Sequence, residues 1–95
     1  MFQIVVSRSA KRDLLQIVDY IRRDNPSAAE RFAAAILNHV EMLARFPRMG
    51  EPVEKRPGVR KLLHTPVRIY YRIDEEQNRV EILHFWHAAR REASH

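Results

Sequence analysis

Residues 66–87 read PVRIYYRIDEEQNRVEILHFWH, and how their side chains divide between two faces decides the fold. Val67, Ile69, Tyr71 and Ile73 alternate with Arg68, Tyr70 and Arg72, the period of two that marks a strand with one buried face. The polar turn EEQN at 75–78 separates this run from RVEILHFWH at 79–87, so the two form an antiparallel hairpin. With regular pairing, Val80 and Ile82 continue the core face, while Glu81, Leu83, Phe85 and His87 fall on the opposite one. His84 and Trp86 then lean toward the core, and a bulge would exchange the two sets.

Working outward, VRKLLH at 59–64 is a third strand, set off by the turn-rich loop FPRMGEPVEKRPG at 46–58. Near the other end, FQIVV at 2–6 is aromatic and β-branched and reads as a strand. Ser7 or Ser9 can then cap a helix by accepting an orphan backbone N–H. In AKRDLLQIVDYIRRD, Ala10, Leu14, Ile17, Val18 and Ile21 fall on one helical face. Asn25-Pro26 interrupts this helix, because proline disfavours helical backbone in the residue before it yet fits the first turn of the next helix. The second helix carries the stripe Ala29, Phe32, Ala33, Ile36, Val40 and Leu43, and Pro47, Gly50 and Pro52 end it. His39 lies beside that stripe, with no sequence neighbour to complete a metal or catalytic set, and reads as a packing or surface residue.

The order is β-α-α-β-β-β: an N-terminal strand, then a two-helix antiparallel hairpin packed on a mostly antiparallel sheet completed by three C-terminal strands. This is an α+β fold forming one domain over residues 1–95. The composition suits it, with 45% hydrophobic and 31% charged residues. There is no cysteine, so thiolate metal sites and disulfides are excluded. The apolar run at the N-terminus is too short for a signal segment or a membrane span, and the expectation is a cytoplasmic protein without membrane attachment.

The formal charge of +5 and pI near 10.2 point to an anionic partner. Residues 54–72 concentrate it, setting Lys55, Arg56, Arg60, Lys61, Arg68 and Arg72 against Glu54 alone. Regular pairing predicts a second sheet face of Arg68, Tyr70, Arg72, Leu83, Phe85 and His87, with Arg60 or Lys61 from the neighbouring strand. Such a face suits a nucleic acid, with phosphates on cations and bases on aromatics, or an acidic amphipathic peptide.

Three chemistries can be weighed for the histidines. Metal binding by His84 and His87 is disfavoured, because residues three apart on a strand point to opposite faces. Metal-free RNA cleavage needs a proton shuttle and cations around the phosphate: His87 for the first, Tyr70 to orient or donate, and Arg60, Lys61, Arg68 and Arg90 for the second. The plain alternative is structural, with His84 packed beside Trp86 and His87 a turn residue.

The segments SAKRDLLQIVDYIRRDNPSAAERF, LARFPRMGEP, GVRKLLHTPVRIYYRID and VEILHFWHAARR, in that order, resemble the RelE/ParE superfamily of toxins from bacterial type II toxin–antitoxin modules. The resemblance implies the same helical hairpin on an antiparallel sheet, and no cofactor or metal. It implies a cognate antitoxin whose acidic or amphipathic C-terminal segment wraps the toxin, and whose N-terminal domain makes the contact with operator DNA. RelE-like members look like ribosome-dependent mRNA endonucleases, whereas ParE-like members inhibit DNA gyrase. NPSAAERF, FPRMGEP and ILHFWHAAR are similar to the ParE-like branch, and a tyrosine after the last strand, typical of the nucleases, is missing. The expectation is a gyrase inhibitor, with the mRNA endonuclease as the alternative. Antitoxin or target contacts are expected at Arg60, Lys61, Arg68, Tyr70, Arg72, Leu83, Phe85, His87 and Arg90.

Overall fold

A computed structural model describes residues 1–88. Its elements are β1 (Gln3–Val6), α1 (Arg8–Asp24), α2 (Pro26–Glu41), a single 3-10 turn at Met42–Ala44, β2 (Glu51–Pro52), β3 (Val59–His64), β4 (Val67–Asp74) and β5 (Arg79–His87). The expected order is observed, with the two-residue β2 as an addition too short to leave a periodic signal. All five strands form one sheet in the order β1-β5-β4-β3-β2. Every pairing is antiparallel except β1 with β5, which is parallel.

Local chemistry sets the helix boundaries. Ser7 Oγ accepts the Ala10 N–H at 3.0 Å and starts α1. Asn25 serves both helices: its N–H donates to the Ile21 carbonyl at 3.0 Å, and its side-chain oxygen accepts the Ala28 N–H at 3.1 Å. Pro26 then occupies the first turn of α2, where its missing N–H costs nothing.

The core lies between the helical hairpin and one sheet face. Ala10 and Ile17 of α1, Ile36 and Val40 of α2, and Leu43 meet Leu62, Val67, Ile69, Tyr71, Val80, Ile82 and Phe85 of the sheet. Tyr71 is wholly buried, and its hydroxyl accepts the Gly50 N–H at 3.0 Å while donating to the Pro47 carbonyl at 2.7 Å. The loop 47–50 is thereby pinned to the core. A Cβ at Gly50 would come within 2.7 Å of both the Tyr71 hydroxyl and the Lys61 carbonyl, so the close approach requires glycine.

The hairpin of β4 and β5 departs from regular pairing. Tyr71 pairs with Ile82, but Tyr70 pairs with His84, so Leu83 is an inserted residue and a β-bulge interrupts the ladder. Beyond it Phe85 pairs with Ile69, and His87 with Val67. Both therefore stand on the helix side, correcting the expectation that placed them on the opposite face. Phe85 is a core residue at 3% exposure, and the His87 ring lies 6.1 Å from that of Tyr20 on α1. His84 and Trp86 take the vacated places.

Candidate functional site

The sheet face turned away from the helices carries a cross-strand grid set by the register. Lys61, Tyr70 and His84 form one row across β3, β4 and β5, and Leu63, Arg68 and Trp86 form the next. Directly opposed side chains on one sheet face stand close enough to act together. Arg56, from the loop before β3, joins Tyr70, His84 and Trp86 around a depression of about 360 Å³.

His84 is held from an unexpected direction. Because β1 ends at Val6, α1 runs beside the free edge of β5, and one oxygen of its Asp13 meets two groups there. Asp13 Oδ2 accepts the Phe85 N–H at 3.1 Å and lies 3.2 Å from His84 Nδ1. A carboxylate only accepts, so the contact assigns the proton to Nδ1 and leaves Nε2 as the other functional nitrogen. Asp13 is separated from His84 by 71 positions, and no spacing in the sequence connects them.

The cations of this face differ in commitment. Arg72 is paired with Glu81 at 2.7 Å, Arg79 with Asp74 at 3.7 Å, and Lys61 with Glu51 at 3.7 Å. Arg56 and Arg68 make no ion pair with any described residue. Arg60 belongs to the opposite side of β3, where its guanidinium donates to the Gly50 carbonyl at 2.7 Å. It thus braces the pinned loop, and Lys61 alone is the neighbouring strand's contribution to the basic face. Arg90 lies outside the described residues.

The residues suggested for RNA cleavage are therefore not brought together. Tyr70, Arg68 and Lys61 share a face, whereas His87 and Arg60 stand on the other. The residues that do converge on the depression include His84 and Trp86, which regular alternation assigned to packing, and Arg56, counted in the sequence only as part of a charged run.

A second histidine contact joins α2 to the end of β3. His39 Nδ1 and His64 Nδ1 are 2.8 Å apart, and the ring of Phe32 stands edge-on to His64. The ring centroids are 5.1 Å apart, near the largest separation such an N···N contact permits, so the two nitrogens point at one another and share one proton. Burial lowers the His64 pKa below its ordinary 6.5, and the His39 charge lowers it further. His39 thus has a spatial partner that its sequence neighbours did not reveal.

Comparison with known proteins gives one consistent result. Residues 4–92 match the model of the family described as "ParE toxin of type II toxin-antitoxin system, parDE". A protein of Sinorhizobium fredii named "Putative toxin Y4kP" is 40% identical over 80 residues, covering 83% of this chain and 80% of that protein. Among solved structures, the chromosomal ParDE toxin–antitoxin system of P. aeruginosa superposes with a TM-score of 0.78 at 27% identity, covering 92% of this chain and 96% of that one. The toxin–antitoxin complex RelBE2 of Mycobacterium tuberculosis gives a TM-score of 0.65 at 28% identity, covering 90% and 96%. A match that runs from the first strand past the last, on a fold read independently from its residues, places the chain in the ParE toxin family of type II toxin–antitoxin systems.

Proposed function

We propose that this toxin arrests growth by binding and inhibiting DNA gyrase, and that a cognate antitoxin with an acidic or amphipathic C-terminal segment neutralises it. The family match across residues 4–92 carries the reading. The higher TM-score with the ParDE system than with RelBE2 supports it.

The antitoxin reading rests on the same comparisons together with the +5 charge, which an acidic segment complements. Binding of this kind needs no cofactor and no chemical step by the toxin. Purified toxin should block supercoiling by gyrase or trap cleaved DNA, and addition of the antitoxin should restore supercoiling. Full supercoiling activity at a large molar excess of toxin sinks the proposal for the gyrase tested. New RNA ends within translated codons after induction would instead establish the endonuclease alternative.

A further inference from the structure

We propose that the depression lined by Arg56, Tyr70, His84 and Trp86 binds a nucleotide, its base against the Tyr70 and Trp86 rings and its phosphate on Arg56 with Arg68. This goes beyond the gyrase reading and does not depend on it. Four observations lead there.

The bulge at Leu83 places both His84 and Trp86 on the face of Tyr70 and Arg68, so two aromatic rings occupy adjacent cross-strand rows. A nucleobase of any identity offers a π-face to such a platform. Arg56, which lines the depression, and Arg68, the cross-strand partner of Trp86, have no ion-pair partner among the described residues, while Arg72, Arg79 and Lys61 are each matched to a carboxylate. An uncommitted guanidinium presents the fork that grips phosphate oxygens two at a time.

The third observation is the tether on His84. With Nδ1 engaged by Asp13, the imidazole is held in orientation, and its Nε2 remains to meet a ribose hydroxyl, a base edge or a phosphate oxygen. The fourth is shape: a shallow depression of about 360 Å³ is lined by the two rings, His84 and Arg56. An acidic peptide without apolar side chains would use the cations and leave the aromatic faces uncovered. A base joined to a phosphate uses both.

Trp86 is the only tryptophan of the chain, so its fluorescence reads this site alone. The full chain is titrated with 5′-AMP, adenosine, ribose 5-phosphate, an eight-residue oligoadenylate and a Glu-rich peptide. A saturable change is expected with 5′-AMP or the oligoadenylate, and a much weaker one with adenosine or ribose 5-phosphate. Response to both nucleotide probes identifies a site open to free nucleotides, and response to the oligomer alone identifies one for a nucleotide within a strand.

Arg56→Ala, an exposed loop substitution, should weaken binding by about tenfold or more, with His84→Gln as a second variant checked for folding by circular dichroism. The proposal is overturned if neither nucleotide probe changes the signal at millimolar concentration, or if both folded variants bind as well as the parent chain. A response to the Glu-rich peptide with both nucleotide probes silent overturns it in favour of an acidic protein segment.

Discussion

His64 shows how one contact changes what a residue can do. Alone at the end of a strand it would titrate near 6.5, but burial and the facing His39 make its charged form costly in the folded chain. The unfolded chain takes up that proton at higher pH than the folded one, so between the two values unfolding is accompanied by proton binding. The stabilisation is accordingly complete above pH 6.5 and is lost as the pH falls below it. Thermal midpoints should drop on acidification in the parent chain and drop less in His64→Gln, where nothing titrates at that position. Equal slopes in the two proteins would show that folding does not lower the His64 pKa.

Among the elements, the helical hairpin depends on a single residue at its corner. Asn25 closes α1 with its backbone and opens α2 with its side chain, so its loss leaves the Ala28 N–H without its partner. Asn25→Ala is expected to cost about 1 kcal/mol, within the usual range for an N-cap. Urea unfolding measures it, and an unchanged midpoint would mean that water caps α2 equally well. Asp13 does comparable service on another element, since it supplies an acceptor to the edge of β5 where β1 has already ended. A strand edge closed by a helix side chain leaves one fewer unpaired N–H to recruit another chain.

For the whole molecule, stability resides in the layer between hairpin and sheet. Ile36 and Ile69 contribute to it from opposite sides and are both fully buried. Ile36→Ala and Ile69→Ala should each cost on the order of 2–5 kcal/mol, read from denaturant midpoints. Changes within about 0.5 kcal/mol at both positions would place the core elsewhere. These positions were legible in the sequence because helical and strand periods differ, and Ile36 and Ile69 satisfy theirs without ambiguity. The face of β5 was not, because ILHFWH is apolar or aromatic at nearly every place and alternation cannot locate one inserted residue in such a run. Two residues of the expected site followed that error: His87 and Phe85 moved to the helix side, and His84 and Trp86 came out beside Tyr70. The Asp13 and His64 contacts were illegible for a different reason, since they join residues far apart in a chain read alone.

The place of β5 in the sheet has a consequence for how the toxin comes into being. It is the last of the described strands to leave the ribosome, yet it lies between β1 and β4, and Ser7 reaches across 76 positions to the Leu83 carbonyl. Until β5 arrives, the first strand has no strand to pair with, and Val80, Ile82 and Phe85 are missing from the core. Contacts so distant in sequence must wait for the loop between them to close. The sheet therefore cannot close around its core until translation has passed β5.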